Sequence, residues 1–455
     1  MTIENAAVVI CGAGLAGVSA AYYLAVQEGL RDIALVDERP PLSLTSDHST
    51  ECYRNWWLGP DAAMVEFMNH SIDLLDELAR RNANVFHLNR RGYLYCTGDP
   101  NGLDGFIAQA EKVSQLGAGA LRIQRGADAA YPPAPPEGFS DQPDGADLLL
   151  DPQLIQARFP FLSRSVSAAL HVRRAGWLSA QQLGVFLLHQ ARQNGVRLVE
   201  GRVSGVDLQG GRVHSVQLQD GRRFRSGIFV NAAGPFLAPV GRMVGVELPV
   251  YNELHLKLAF TDAHAALDRT SPLVIWSDAQ TLDWTDEERA ALSEDPETRP
   301  LLELLPSGVH ARPDGGGGSQ IALALWEYQT RRQAPVFPIP EDPLYPETAL
   351  RGLTRLIPGM QAYVERPPRP RLDGGYYTRT PENRPLIGGL PVEGAFVIGG
   401  LSGFGVMAAC AAGELLAKTV AGTPPPGYAA AFALERFQDP NYLLKFDQME
   451  NAGQL

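Results

Sequence analysis

Gly12, Gly14 and Gly17 stand in the spacing GxGxxG, directly after the apolar run AAVVIC and directly before VSAAYYLAVQEGL, whose apolar residues recur with a helical period. Strand, glycine turn and helix in that order cradle the pyrophosphate of a dinucleotide. Gly12 makes the tight turn, Gly14 lets the backbone approach the phosphates, and Gly17 lets the helix pack closely on the strand. The helix N-terminus, with Leu15 and Ala16 in its first turn, adds unpaired N–H groups and the positive end of a dipole. A second segment, DIALVD, ends in Asp37 and Glu38, roughly 20 residues past the last glycine, where an acid accepts from ribose hydroxyls. Asp37 is the first candidate and Glu38 the second. The alternative is a glycine turn in an ordinary α/β protein.

NAD and FAD share this fingerprint, so a further signal must separate them. VRLVEGRVSGV (196–206) reads as a strand with a turn whose backbone, near Val203, reaches the adenine edge. IFVNAAGPF (228–236) reads as a buried strand that breaks at Ala233 and Gly234 and closes over the nucleotide. Between them, two alternating strands meet at Asp220-Gly221, and such an inserted hairpin is usual in flavoproteins. Further on, FVIGGLSGFG is a strand entering a second glycine turn, and a helix from VMAACAAGELLA ends at Gly422. Gly400, Gly403, Phe404, Gly405 and Val406 would set that helix N-terminus against negative charge on a reduced flavin ring.

The GAGLAGVSAAYYLA start, the NAAGPF strand and the TPENRPLIGG…GLSGFGVMAACAAGELLA ending together resemble the D-amino-acid-oxidase superfamily of flavoproteins, which includes sarcosine oxidase, glycine oxidase and dimethylglycine dehydrogenase. The resemblance implies an α/β (α+β overall) architecture, a Rossmann-like FAD-binding domain interleaved with a substrate domain on a mixed β-sheet. It implies FAD as cofactor and oxidation of amines or amino acids as activity. Residues 45–57 sit where the family threads its chain past the isoalloxazine ring; Ser46, Ser49 and Thr50 supply the small and hydroxyl residues that such a passage needs. His48 and Arg54 resemble the His and Arg placed over the flavin in sarcosine-type members, with Arg54 clamping a substrate carboxylate. The bland reading is an Arg54 paired with Glu51 or Asp61 on a surface loop.

Two departures matter. The covalent flavin cysteine of sarcosine-type members is replaced in GGYYTRTP (374–381), so no thioether link is expected. Their lysine after the second glycine turn is Met407 here, which leaves the electron acceptor open between oxygen, a quinone and a protein. His48 is expected to act electrostatically without carrying flavin, and Cys52 to be a packed thiol.

The chain has 455 residues, more than one core usually supports. The expected division gives residues 1–85, 165–245 and 375–455 to the FAD-binding domain and residues 86–164 and 246–374 to the substrate domain. In the latter, RRGYLYCTGD reads as hairpin-like, NELHLKLAF and SQIALALWEYQ as strands, and Trp284-Thr285 through Glu288 as a capped helix in an insert, either a surface decoration or a lid or partner surface. Residues 428–455 read as helix-like. His255, Lys257, Trp326, Tyr328 and Tyr377 are candidates for the substrate pocket; for each aromatic the alternative is core packing. Arg379 and Arg384 could hold a carboxylate or a flavin phosphate, or cap the strand end. The candidates for catalysis are His48, Arg54 and Tyr377.

The net charge of −12 argues against nucleic acid as a partner. No Ser/His/Asp triad or metal-ligand cluster competes for the chemistry. No apolar run is long and uninterrupted enough to span a membrane, no basic segment precedes the first apolar run, and four scattered cysteines fit a reducing cytoplasm. The expected substrate is a small amine or amino acid. Alternatives are a flavoprotein acting on a non-amine substrate, and a flavin-bound assembly protein without turnover.

Overall fold

The run Val8–Cys11 is buried on both sides, so each residue needs an apolar partner whichever face it presents. In the computed structural model, which describes residues 3–126, 131–315 and 318–446, it lies at the centre of a six-stranded sheet. The strand order is Val196–Glu200, Ile33–Asp37, Val8–Cys11, Phe229–Asn231, Ala395–Gly399, Leu386–Gly389, parallel except for the last pair. Val8, Ile10, Ile33 and Leu35 face helices Leu15–Tyr22, Ala63–Arg81, Ala180–Gln193 and Gly405–Ala421. Val9, Cys11, Ala34 and Val36 point the opposite way, onto a small sheet of Ile3–Asn5, Arg223–Arg225, Arg212–Leu218 and Val203–Gln209. The expected turn at Asp220-Gly221 joins the last two antiparallel partners of that sheet, Arg212–Leu218 and Arg223–Arg225.

A nine-stranded mixed sheet makes the second layer. Its order is Arg371–Arg379, Tyr251–Thr261, Ile321–Leu325, His310–Asp314, Leu273–Trp276, Tyr93–Thr97, Ala168–Val172, Ala146–Leu149, Leu121–Gln124. RRGYLYCTGD is therefore no hairpin. Tyr93–Thr97 runs parallel to Leu273–Trp276 and antiparallel to Ala168–Val172, which knits two distant stretches of chain into one sheet. Ala168–Val172 belongs here, although a cut at residue 165 gives it to the nucleotide unit; a wholly buried strand reads alike in either sheet, and only its pairing decides. Strand Arg371–Arg379 likewise crosses the cut at 374. A two-stranded ribbon, Cys52–Arg54 with Ala175–Trp177, bridges the layers and carries Arg54.

The glycine-rich turn before Ile321–Leu325 includes residues 316–317, outside the described residues, as is 447–455 of the tail. The described part of the tail is a set of short turns, Ala429–Ala431, Leu434–Gln438 and Leu443–Lys445, and not a helix. Pro440 after Asp439 accounts for the break between the last two, since proline disfavours helix at the residue before it. Tyr428 and Phe432 pack on Phe67 of the long helix.

The insert is capped as its sequence indicates. Thr285 Oγ1 accepts from Glu288 N, and the Glu288 carboxylate accepts from Thr285 N. Arg351 seals this helix to the body, pairing with Glu288 at 2.5 Å while lying over the Trp284 ring. Thr285→Ala should lower stability by about 1 kcal/mol and leave flavin content unchanged, read by thermal melting and absorbance.

Candidate active site

One elongated cavity runs along the C-terminal edge of the six-stranded sheet. Gly12, Gly14, Leu15 and Ala16 line one stretch, and Asp37, Glu38 and Val203 an adjoining one. Ser46 and Ser49, Ala233 and Gly234 form its sides. Gly400, Gly403, Gly405, Val406 and Tyr377 line the other end. Gly17 sits behind this wall, where its missing side chain admits the carbonyl of Gly12.

Asp37 is fixed at the wall by backbone donors, Ala13 N at 2.7 Å and Arg39 N at 2.9 Å. Glu38 is engaged by Arg39 at 3.3 Å and Arg202 at 3.9 Å, which leaves Asp37 the better ribose acceptor. Sequence reasoning passed over Arg39, whose guanidinium lies over Phe236 and Phe337 while lining the cavity. Helices Leu15–Tyr22 and Gly405–Ala421 both begin at this cavity; Leu15 N of the first is bonded to Ser46 Oγ at 3.0 Å, and neither helix has a cap bond from the side chain of its N-cap residue. Two sets of helix N–H donors thus meet one space, one of them beside a carboxylate placed for a sugar. An anionic, elongated dinucleotide fits such a donor set.

Residues 7–419 match the family described as FAD dependent oxidoreductase, DAO. The chain belongs to that family. Its cofactor is FAD and it is an oxidoreductase. Mitochondrial dimethylglycine dehydrogenase of Rattus norvegicus is 23% identical over 317 residues, 69% of this chain and 34% of that protein. The chain spans about one third of the length of the curated relatives it matches. Among solved structures, L-proline dehydrogenase from P. horikoshii is similar with a TM-score of 0.72 at 19% identity, covering 96% of this chain and 98% of that one. Glycine oxidase from Geobacillus kaustophilus gives 0.71 at 16% identity, covering 95% and 99%. Among the described residues no helix is long and apolar enough to cross a membrane.

Beyond Tyr377 the FAD cavity adjoins a buried set of polar groups. The Tyr377 ring stacks on His255, with centroids 3.9 Å apart and planes at 14°. His255 Nδ1 lies 2.7 Å from Glu327 Oε1 and its Nε2 lies 3.5 Å from Glu253, which in turn holds Arg379 at 2.7 Å. Burial alone would lower the His255 pKa, but Glu327 and Glu253 outweigh it and hold the imidazolium. Burial raises both carboxylates, and His255 with Arg379 more than reverses that, so both stay ionised. His310 is lowered by burial and stays neutral, its Nδ1 bonded to Gly308 O at 2.8 Å. The Tyr377 hydroxyl is held protonated by burial.

Arg54 is buried, not on a surface loop: 3% exposed, its Nε donates to Trp56 O, and its guanidinium lies 4.4 Å over Trp57 and 5.8 Å from Tyr93. Glu51 accepts from Ala180 N, and Asp61 pairs with Arg384. Trp57 meets Phe404 edge-on, which links Arg54 to the second glycine helix.

Several expected residues are placed differently. Phe404 is the buried N-cap of its helix and does not line the cavity. Thr50 offers its carbonyl to Arg312, a fully buried arginine that sequence reasoning missed. Trp326 is core, its Nε1 donating to Pro306 O and its ring against Gly352. Tyr328 stacks on Tyr345 in the same core. Lys257 shares a strand face with His255, yet its Nζ reaches back to Ser49 O at 2.8 Å and lies 3.7 Å from Asp373. His48 meets the same Asp373 at 2.6 Å, so His48, Asp373 and Lys257 brace the 45–50 segment instead of lining the cavity. Arg379 and Arg384 are taken by Glu253 and Asp61 and are not open to a ligand anion. Cys52 is a packed thiol, buried and bonded to Thr50 O.

The charge set has a signed pH consequence. Glu253 and Glu327 are depressed below 4.5, so their contribution to stability is complete above that value and fades as pH falls. His255 is raised above 6.5, so its contribution is complete below that value and fades as pH rises through the raised pKa. The stability gap between the native protein and His255→Asn should therefore be widest between these two values and narrow on the alkaline side. Thermal melts across that range read it.

Proposed function

We propose that this enzyme oxidises the carbon next to the nitrogen of an amino acid or N-methyl amino acid, giving an imine that water hydrolyses. The observation that carries the reading is Arg54, a buried, planar cation set between Trp57 and Tyr93 at the second glycine helix, suited to pairing with a substrate carboxylate. The names of similar proteins support it, since dimethylglycine, proline and glycine are all amines bearing a carboxylate. Bound FAD supplies the two-electron acceptor for the hydride of that carbon.

The chain's own residues bind and orient. Gly12, Gly14, Leu15 and Ala16 would hold the pyrophosphate, Asp37 the ribose, and Val203 the adenine edge. Ser46, Ser49, Ala233, Gly234 and the 400–406 turn would hold the remainder. Tyr377 and the stacked His255 form the aromatic wall against which a substrate lies and from which water is excluded. The acceptor that reoxidises FAD is oxygen, a quinone or a protein; Met407 is buried and offers no charge for that step. The same reading gives a cytoplasmic enzyme, supported by four buried, unpaired cysteines.

The test is anaerobic absorbance of the flavin during addition of amines and amino acids, followed by air. Bleaching by a carboxylate-bearing amine supports the reading, and the return of colour in air names oxygen as acceptor. A flavin that dithionite reduces and no amine bleaches would overturn it in favour of another donor or a role without turnover.

A further inference from the structure

The FAD cavity has one regular wall and one irregular wall. In the first, the turns at 12–14 and 400–404 join paired strands to helices, so neither can swing without unpairing a sheet. In the second, Ser43, Leu44, Thr45, Ser46 and Ser49 line the cavity from a run of turns and bends. Both ends of that run are fixed on one helix of the nucleotide half, Ala180–Gln193. Leu42 packs into the space left by Gly184, and its amide donates to Ala13 O at 2.9 Å. The Glu51 carboxylate accepts from Ala180 N at 2.8 Å. At each end the backbone is left-handed, with φ +65° at Leu42 and +62° at Glu51. Residues other than glycine keep that conformation only where their surroundings hold them in it.

Among the described residues, no backbone-to-backbone hydrogen bond ties 43–50 to a strand or helix. Side chains of the nine-stranded sheet hold this middle instead. Lys257 Nζ donates to Ser49 O at 2.8 Å, and Arg312 donates to Thr50 O from Nε at 3.2 Å and from Nη2 at 2.9 Å. Asp373 lies 2.6 Å from His48 and 3.7 Å from Lys257, and Thr45 Oγ1 donates to Tyr376 O at 3.1 Å. These holders stand on three strands, Tyr251–Thr261, His310–Asp314 and Arg371–Arg379. Left-handed joints at fixed ends, with a middle tied by a few side chains, make a hinged strap. Each of these contacts joins protein to protein, so the strap is held with or without FAD.

We propose that residues 43–50 are the gate of the FAD cavity, swinging about Leu42 and Glu51, and that Lys257 is the latch that sets how fast FAD enters and leaves. The substrate half thereby controls how long the nucleotide half keeps its cofactor. Nothing in this depends on which compound is oxidised, so it stands apart from the amine-oxidation reading. The competing role is a static wall, in which Lys257 adds to FAD affinity and gates nothing.

The test uses the FAD-loaded full chain and needs no turnover. The release rate comes from exchange of bound FAD for isotopically labelled FAD, and the dissociation constant from the fluorescence of free FAD on serial dilution. Lys257→Met keeps the length of the side chain and removes its charge and its donors. It should speed release about tenfold, the scale of one charged hydrogen bond, while the dissociation constant moves by less than about threefold. Release and uptake then quicken together, as a loosened gate requires and a weakened contact does not. Amide hydrogen exchange should quicken in residues 43–50 and stay native in helix Ala180–Gln193. Release at the native rate overturns the proposal. So does faster release matched by an equal rise in the dissociation constant, which would leave Lys257 a role in affinity alone. Should Lys257→Met not retain FAD, His48→Gln at the more exposed side of the latch is judged by the same ratio and the same exchange pattern.

Discussion

Alanine at Gly12 or Gly17 will give a colourless protein of lowered melting temperature, whereas alanine at Gly14 will give a folded protein that binds FAD weakly. The three glycines share one motif and differ in what a methyl group would meet. At Gly12 the backbone has φ +110°, and a Cβ would lie 2.4 Å from the Ala232 carbonyl oxygen. At Gly17 it would lie 1.9 Å from the Gly12 carbonyl oxygen, with backbone that cannot yield. Each clash forces helix and sheet apart, at a cost of roughly 3 kcal/mol from strain and overpacking. At Gly14 φ is −69°, and the nearest atom to a Cβ is Ser46 Oγ at 3.5 Å, an ordinary contact. The fold accepts that methyl group, which instead occupies the cavity where a pyrophosphate must approach. FAD affinity of Gly14→Ala should fall more than about tenfold. Melting curves and bound-flavin absorbance on the three variants separate the cases; a Gly14→Ala protein with native FAD affinity would refute the assignment of this turn to the phosphates.

Arg54→Lys will retain flavin yet bind carboxylate-bearing ligands about a hundredfold less tightly, the cost of losing one partner in a buried charge pair. Arg54 is 3% exposed, its guanidinium carbon lies 4.4 Å from the centre of the Trp57 ring, and its Nε donates to Trp56 O. A lysine carries the charge on one atom, cannot grip two carboxylate oxygens in parallel, and loses the guanidinium contact with that ring. Titration of the flavin spectrum with pivalate reads the effect, and an amine without a carboxylate is the control that should change little. Unaltered pivalate binding in this variant would remove Arg54 from the substrate site.

The cofactor half of the molecule was legible because its signals are local. Gly12, Gly14, Gly17 and Asp37 fall within one strand–turn–helix–strand unit, where spacing fixes geometry. The capping box at Thr285 was legible for the same reason. The substrate half was read less well. Arg54 came from resemblance alone, and Trp326 looked like a pocket aromatic until its packing against Gly352 placed it in the core. Lys257 and His255 share a face of their strand, but only the chain passing over residues 45–50 decides that the lysine turns toward Ser49.

By itself, then, the sequence determined the dinucleotide turn, the second glycine helix, the flavoprotein family and the acidic net charge. Each follows from residues near one another in the chain or from composition. Tertiary structure alone decided that Ala168–Val172 joins the larger sheet, that Arg54 is buried, and that Glu327 faces His255. Those outcomes depend on which strands pair and in what register. Pairing is set by the burial of whole faces, and Glu327 lies 72 residues from its partner along the chain. No local pattern carries that distance; the sheet closes it.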